Sequence, residues 1–181
     1  MATVLALDVG FAALGWAVID AAIGDVCCAG VIRTVKSQAK RGVRVADDDW
    51  DRCAVQARAV AALVTLHTPA CVVAELPTGG SKSARATRAM ALGTGIAATV
   101  CTLLSIPVVC TTPRDGKIAA TGRANADKVD VQAGVERKLH GATDALTQLK
   151  RADVEHAADA MAAYIAARHD PIVEMATRAG A

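Results

Sequence analysis

Two apolar runs constrain the fold of this chain most strongly, because each is too hydrophobic to lie at a surface and each ends in an acid. The runs are "TVLALDV" at residues 3–9 and "ACVVAEL" at residues 70–76, and their acids are Asp8 and Glu75. Continuous apolar segments of this length are typical of strands covered on both faces. A carboxylate at the end of such a strand is costly unless something compensates for its desolvation. The sequence therefore predicts a central sheet with acids at the ends of its strands and a group that balances their charge.

The predicted strands form a mixed sheet. The first three follow one another with short connections, which predicts an antiparallel meander, and Gly10 and Gly15 indicate a tight turn between the first two. The five predicted strands cover residues 3–9, 14–20, 26–35, 70–76 and 106–112.

The predicted helices flank this sheet, so the fold class is α/β. Residues 1–170 are expected to form a single domain, with 171–181 as a C-terminal tail and 36–47 as a mobile loop. Residues 141–150 are interpreted as a connection, and Asp153 is the expected N-cap of the last helix. The predicted helices cover residues 48–67, 84–104, 113–122, 126–140 and 153–169.

Length and hydropathy predict a soluble protein. The 181 residues suffice for one domain with a full core. No run of 18 apolar residues occurs, which argues against a membrane span. The first residues lack the parts of a signal peptide, so we expect a cytoplasmic protein.

The six cysteines exclude a familiar zinc pattern, because none of them form a C-x-x-C pair. Most lie in apolar surroundings, and we expect buried, reduced thiols.

The charge distribution suggests a surface for phosphates. The net charge is only +2, but residues 79–151 contain 11 Lys and Arg against 5 Asp and Glu. Such clustering is typical of a nucleic-acid footprint, although an unevenly charged, solvated face explains it equally well. Only four aromatic residues occur, which argues against a protein that stacks single-stranded bases.

A third group of polar residues lies in the last helix. His156 and Asp159 are three positions apart and share a face, and the surrounding residues are mostly small and apolar. This helix is expected to pack on the sheet and bring an imidazole and a carboxylate towards Asp8 and Glu75. Converging carboxylates repel one another. A divalent cation with oxygen ligands, Mg²⁺ or Mn²⁺, resolves that conflict.

Each of these residues also has a purely structural interpretation. Asp8 is compatible with a turn residue, Glu75 with a charge at a loop edge and His156 with a hydrogen-bonded core histidine. Glu155 and Asp159 are compatible with solvated residues, and Glu155 also complements the helix dipole. The functional interpretation depends on the combination of Asp8, Glu75, His156 and Asp159, because the structural interpretations would all have to hold at once.

Four segments together resemble the RuvC-type Holliday junction resolvases, in the order in which that family has them. The first is similar to the family's opening hairpin and the second to its second-acid strand, loop and helix. The third resembles a stretch carrying two lysines, and the fourth resembles the C-terminal acidic helix. They read "LALDVGFAALGWAVID" (5–20), "CVVAELPTGGSKSARATRAMALGTGIAA" (71–98), "TTPRDGKIAATGRANADKVDVQAGV" (111–135) and "HAADAMAAYIAA" (156–167).

The resemblance implies an RNase H-like fold, a homodimer and a metal-dependent nuclease that cuts four-way DNA junctions symmetrically. It assigns Asp8, Glu75, His156 and Asp159 to a metal and catalytic site. Two ions about 4 Å apart are expected there, with Asp8 bridging them, Glu75 and Asp159 each holding one, and His156 acting as ligand or base. Because imidazole suits Mn²⁺ better than Mg²⁺, we expect greater activity with Mn²⁺.

The same resemblance identifies Lys117 and Lys128 with the two lysines that face DNA in the family. Together with other cations of residues 79–151, which we call the basic region, they are expected to neutralise phosphates without reading bases. The full set of expected DNA contacts is Lys82, Arg85, Arg88, Lys117, Arg123 and Lys128.

The sequence departs from the family at three places. The first is mild, since some members have aspartate where His156 stands and others have histidine. The loop after Glu75 contains Pro77, Thr78, Gly79 and Gly80 where familiar members have aromatic residues that open the junction centre. The 36–47 segment is longer and more basic than in those members, which suggests a divergent branch from a mobile element or virus.

Three other functions are compatible with parts of the sequence. A D-x-G turn between strands also opens actin-like ATPases and sugar kinases, but these need a second domain with another phosphate-binding hairpin. A junction-binding module without catalysis is compatible with the basic region. A nuclease of broader scope, acting on flaps, forks and three-way junctions, is compatible with every motif.

Overall fold

The computed structural model describes residues 2–37, 42–78 and 83–179. Within them the chain forms five strands and seven helices in one α/β arrangement. The strands are β1 (Thr3–Asp8), β2 (Ala13–Asp20), β3 (Asp25–Arg33), β4 (Cys71–Glu75) and β5 (Val108–Thr111). The helices are α1 (Val45–His67), α2 (Ala84–Leu103), α3 (Pro113–Thr121), α4 (Lys128–Lys138), α5 (Ala142–Thr147), α6 (Arg151–Ala167) and α7 (Pro171–Ala179).

The sheet is mixed, with strand order β3-β2-β1-β4-β5. β1, β2 and β3 form the expected antiparallel meander. β4 pairs in parallel with β1, and β5 pairs in parallel with β4. The expected five-stranded mixed sheet with an antiparallel meander is therefore confirmed.

Helices cover both faces of the sheet, because the central strands are apolar on both sides. Val4 and Ala6 of β1 belong to a core packed beneath α6 and its neighbours α3, α4, α5 and α7. Leu5 and Leu7 point to the opposite face and pack with α1 and α2. Because side chains alternate along a strand, Asp8 continues the series of Val4 and Ala6 and faces α6.

Several element boundaries differ from the sequence-based expectations. Residues 142–147 form the short helix α5 instead of a connection. Helix α6 begins at Arg151, so Asp153 lies inside its first turn and is not the N-cap. Gly15 lies within β2 and not in a turn. The end of the expected 36–47 loop already belongs to α1, while its residues 38–41 lie outside the described residues.

The C-terminal segment forms helix α7, whose Val173 is buried in the core beneath α6. The division between domain and tail at residue 170 stays a prediction. The cysteines are less buried than expected, since only Cys71 and Cys101 are buried and Cys27 and Cys110 are exposed.

Helix α2 is long and apolar enough to cross a membrane by length and composition alone, and 22% of its most apolar window is buried. One such helix is weak support for a membrane span, since core helices of soluble proteins pass the same test. What the structure shows is an apolar helix that the rest of the described chain covers only in part.

Candidate active site

Asp8 and Glu75 lie side by side at one end of the sheet. They are register partners at the ends of the parallel strands β1 and β4, and the amide of Val9 donates to the carbonyl of Glu75 at 3.1 Å. Register partners on parallel strands point to the same face, so both carboxylates face α6. Glu75 is 8% exposed, and its carboxylate is therefore largely removed from water.

Helix α6 reaches this edge of the sheet because Gly15 has no side chain. Gly15 is the register partner of Asp8 on β2, and a Cβ at this position would lie 2.0 Å from the carbonyl oxygen of His156. The start of α6 is also fixed to β3, where Arg33 donates to the carboxylate of Asp153 at 2.6 Å and to the carbonyl of Ala152 at 2.9 Å. These contacts bring the first turns of α6 over the end of β1.

The position of α6 places His156 directly against Asp8. The Nδ1 atom of His156 lies 3.0 Å from Oδ2 of Asp8. This hydrogen bond is the largest influence on the imidazole and raises the pKa of His156. With Nδ1 engaged by Asp8, Nε2 is the nitrogen left for a substrate, a water or an ion.

The carboxyl groups of the site carry strongly shifted pKa values. Burial raises the pKa of Glu75 to about 8, with further contributions from Asp8 and Asp159. Burial raises the pKa of Asp159 to about 7, with further contributions from Asp8 and Glu155. The three carboxylates predicted from sequence thus lie within electrostatic reach of one another, and their charge is not balanced by the surrounding cations. Shifts of this kind are typical of functional sites.

The donor set fits a hard divalent cation. Carboxylates and an imidazole are ligands that Mg²⁺ and Mn²⁺ accept. The pKa values of Glu75 and Asp159 are raised mainly by burial and further by neighbouring carboxylates, and a cation would favour the ionised form of both groups. In the described part of the chain, however, no three His, Cys, Asp or Glu side chains stand close enough to hold a metal ion. The four side chains therefore lie at the same edge of the sheet and influence one another electrostatically, but they are not arranged as a closed coordination shell.

Cations from α3 and α4 border the acidic site. Lys117 of α3 lowers the pKa of Glu75, and Lys128 of α4 lowers that of Asp159. The ammonium of Lys128 forms an ion pair with the carboxylate of Glu155. Both lysines predicted to face DNA are thus placed beside the acids.

Among the described residues, the remaining predicted DNA contacts are not placed beside the acids as Lys117 and Lys128 are. Arg123 pairs with Asp130 at 2.5 Å, on the loop that leads into α4. Arg85 and Arg88 of α2 line a cavity of about 750 Å³ beside Phe11, on the side of α1 and α2. Lys82 lies outside the described residues.

Two polar residues near the site were not predicted from sequence. Gln56 of α1 is fully buried and donates from Nε2 to the carbonyl of Gly10 at 2.6 Å, which supports the turn directly after Asp8. One sequence feature could have identified Gln56. It is a polar residue at a position that continues, at helical spacing, the buried face formed by Val60 and Val64. The sequence alone is compatible with Glu155 as a solvated or dipole-complementing residue, and the contact of Glu155 with Lys128 has no local sequence signal.

Comparison with known proteins identifies the architecture. No protein-family model matches the chain, and no curated protein matches it in sequence. The structure of Thermus thermophilus RuvC in complex with a Holliday junction substrate is similar, with a TM-score of 0.69, 19% sequence identity, and coverage of 92% of this chain and 92% of that one. A second Thermus thermophilus RuvC structure has a TM-score of 0.67 at 19% identity, with coverage of 91% and 92%. The chain therefore has the RNase H-like fold of the RuvC resolvases, as the sequence resemblance predicts.

Proposed function

We propose that the protein is a metal-dependent, structure-selective endonuclease that resolves four-way DNA junctions by paired phosphodiester hydrolysis. The observation that carries this proposal is the convergence of Asp8, Glu75, Asp159 and His156 at one edge of the sheet, with pKa values of about 8 and 7 for two of the carboxyl groups. The similar fold of a RuvC bound to a Holliday junction substrate supports the choice of DNA substrate. The protein would act on DNA in the cytoplasm of a bacterium, or of a host cell if the gene is viral.

The four side chains would hold Mg²⁺ or Mn²⁺, two ions per site. Such ions activate a water for attack and stabilise the leaving 3′-oxygen. Asp8 interacts with each of the other groups, since it bonds His156 and its charge raises the pKa of both Glu75 and Asp159. Asp8 would therefore be the shared ligand. His156 would contribute Nε2, either to the second ion or to the proton of the attacking water.

The cations around the site would position the phosphate backbone. Lys117 and Lys128 border the acids but do not neutralise them, since the pKa values of Glu75 and Asp159 stay raised. Phosphate contacts fix the register of DNA without reading its bases. Arg85, Arg88, Arg123 and Lys82 remain proposed contacts further from the acids.

A homodimer would place two such sites on opposite strands of one junction. The surface that supports this is the partly uncovered α1–α2 face, which contains a groove of about 390 Å³ lined by Trp50, Ala57, Leu92 and Ile96. Trp50 is 75% exposed on this face. Closed two-fold dimers are the commonest oligomers, and exposed apolar patches often mark interfaces.

A broader activity on branched DNA is the second candidate. The loop after Glu75 begins with Pro77 and Thr78 and contains two glycines where familiar members have aromatic wedges. Without such a wedge, selectivity for a four-way centre would depend on the spacing of the two sites in a dimer. A junction-binding module that lacks catalysis is the third candidate, and the complete set of four site residues argues against it.

The discriminating experiment compares cleavage of four-way, three-way, flap and linear DNA by the purified protein in Mg²⁺ and in Mn²⁺. A junction resolvase is expected to cut the four-way junction at symmetric positions on two strands and to leave linear DNA intact. Equal cleavage of flaps and three-way junctions would favour the broader nuclease. Binding to junctions with no cleavage in either ion would favour the binding module.

A further inference from the structure

The ion pair between Lys128 and Glu155 joins the proposed DNA surface to the proposed metal site. Lys128 is the first residue of α4, and its ammonium contacts Oε1 of Glu155 on α6. Glu155 directly precedes His156 and lies one helical turn before Asp159. The pair thus occupies the rim of the acidic site.

Glu155 already acts on the groups of that site. Its charge raises the pKa of both His156 and Asp159, whereas Lys128 lowers that of Asp159. While Lys128 holds the carboxylate of Glu155, part of this negative charge is neutralised by a cation other than a metal ion. The two side chains therefore act on the site with opposite sign.

Lys128 does not stabilise the helix to which it belongs. A cation at a helix N-terminus is disfavoured by the helix dipole, and its side chain is 74% exposed. Exposed ion pairs contribute little to stability, so breaking the contact between Lys128 and Glu155 is expected to cost little. A DNA phosphate is a competing partner of the same charge as Glu155.

We infer that Lys128 and Glu155 form a switch that couples DNA binding to metal binding. A phosphate that takes the ammonium of Lys128 releases the carboxylate of Glu155, which then joins Asp159 and His156 in attracting the divalent cation. The metal site would thus reach its full negative charge only when DNA is in place. This inference rests on the proposed function, because it needs both a phosphate ligand and a cation.

The chain offers a matched control for this contact. Arg123 and Asp130 form another exposed ion pair of the basic region. Asp130 does not contribute to the shifted pKa values of Glu75, His156 or Asp159. Breaking that pair removes one positive charge from the same region without releasing an acid at the site.

The test is a double-mutant cycle on Mn²⁺ affinity, measured by calorimetric titration of the DNA-free protein. Lys128→Met is expected to tighten Mn²⁺ binding about fivefold or more, the lower end of typical coupling between sites. Glu155→Gln is expected to weaken it, and Lys128→Met is expected to tighten it clearly less in the Glu155→Gln background than in wild type, because only the direct effect of Lys128 on Asp159 then remains. Arg123→Met is expected to leave Mn²⁺ affinity unchanged.

A second measurement reads the same switch from the DNA side. In EDTA, Glu155→Gln is expected to tighten binding of a four-way junction, because Lys128 is then free, whereas Lys128→Met is expected to weaken it. Thermal melts of all variants check that each is folded.

The switch is overturned if Lys128→Met tightens Mn²⁺ binding equally in the wild-type and Glu155→Gln backgrounds, since the lost positive charge would then act through space. It is also overturned if Lys128→Met has no effect on Mn²⁺. If the wild-type protein binds Mn²⁺ and cuts junctions, but the Lys128 and Glu155 variants change neither Mn²⁺ affinity nor junction affinity, the proposed function stands and only the switch is removed. A wild-type protein that binds neither junctions nor Mn²⁺ would remove the proposed function itself.

Discussion

At the scale of single residues, the acids at the ends of β1 and β4 show how a carboxylate is tolerated in a core. Glu75 is buried and its pKa is raised to about 8, so near neutral pH it is protonated for much of the time when no cation is present. Asp8 has a direct partner in His156 at 3.0 Å. The metal-free site therefore balances its charge with protons and an imidazole, and a bound cation would replace the protons.

This balance predicts that the metal-free protein loses stability as pH rises. Between the ordinary and the folded pKa values, 4.5 to about 8 for Glu75 and 3.8 to about 7 for Asp159, the folded state binds more protons than the unfolded state. The free energy of unfolding then decreases with increasing pH. Thermal melts in EDTA from about pH 5 to about pH 9 are expected to show a falling melting temperature.

Two controls isolate the site from other titrating groups. Glu75→Gln is expected to flatten the pH dependence, because the amide does not titrate. Saturating Mg²⁺ is expected to flatten it too, since a cation favours the ionised carboxylates. A melting temperature that rises across this range in EDTA would contradict the shifted pKa values.

Lys117 gives a prediction about phosphate contact. It borders Glu75, and its neutralisation of one phosphate would contribute about 0.9 to the slope of log affinity against log salt. Lys117→Ala is therefore expected to reduce that slope by about one unit in junction-binding titrations. Lys138→Ala serves as the control, because its ammonium donates to the carbonyl of Ala119 within the protein. An unchanged slope for Lys117→Ala would exclude Lys117 from the DNA surface.

At the scale of elements, the site depends on how closely α6 approaches the sheet. Most of the buried residues of α6 are alanines, and Gly15 leaves room for the backbone at His156. The helix is also anchored through Asp153 to Arg33. The position of His156 is therefore set by contacts on β2 and β3 and not by its own sequence neighbours.

Gly15→Ala is predicted to displace α6 and damage the site. The added Cβ would lie 2.0 Å from the carbonyl oxygen of His156, and overpacking of this kind typically costs about 1–3 kcal/mol. Chemical denaturation is expected to show that loss, and cleavage is expected to fall with it. Gly95→Ala is the control, because a Cβ at Gly95 meets nothing within 4 Å and alanine favours a helix by up to about 1 kcal/mol. Equal stability of Gly15→Ala and wild type would contradict the close approach.

The elements that could be predicted from sequence are those with a long, regular hydrophobic pattern. The strands that carry Asp8 and Glu75 are continuous apolar runs, so both the strands and their terminal acids were recognisable. Helix α5 was missed because six residues, "ATDALT", are too short to show a helical period. The start of α6 was misplaced because Asp153 looks like a cap, whereas in the structure its carboxylate bonds Arg33, far away in sequence.

The same reasoning applies to the site. The approach of His156 and Asp159 to the sheet could be predicted because the two residues share one helix face and the residues around that face are mostly small and apolar. The pairing of Glu155 with Lys128 and the support of Gly10 by Gln56 depend on contacts between distant segments. No local pattern specifies such contacts, so they require the folded structure.

At the scale of the whole molecule, the two faces of the sheet differ in chemical character. The α6 face carries the acids and the bordering lysines. The α1–α2 face presents exposed apolar residues, among them Leu103 at 77% exposure. A two-fold dimer through the second face would leave both acidic sites open to DNA.

Gly95→Glu tests the dimer. Gly95 lines the α1–α2 groove, and a Cβ there meets no atom of the described residues within 4 Å, so the monomer is expected to fold normally. A carboxylate buried in an apolar interface is costly, and sedimentation analysis is expected to show a dimer for wild type and a monomer for Gly95→Glu. The Gly95→Ala variant is expected to remain dimeric. A wild-type protein that sediments as a monomer at all concentrations would contradict the proposed assembly.

The most direct test of the central claim is junction cleavage by the Asp8→Asn variant. Asparagine keeps the size of the side chain but removes the charge that would hold the cations, and metal ions supply several kcal/mol of transition-state stabilisation. In Mn²⁺, the rate of cutting a labelled four-way junction is predicted to fall about 10²-fold or more, while binding to the junction in EDTA persists. An Asp8→Asn variant that cuts as fast as wild type would show that the acids at the end of the sheet are not a nuclease site.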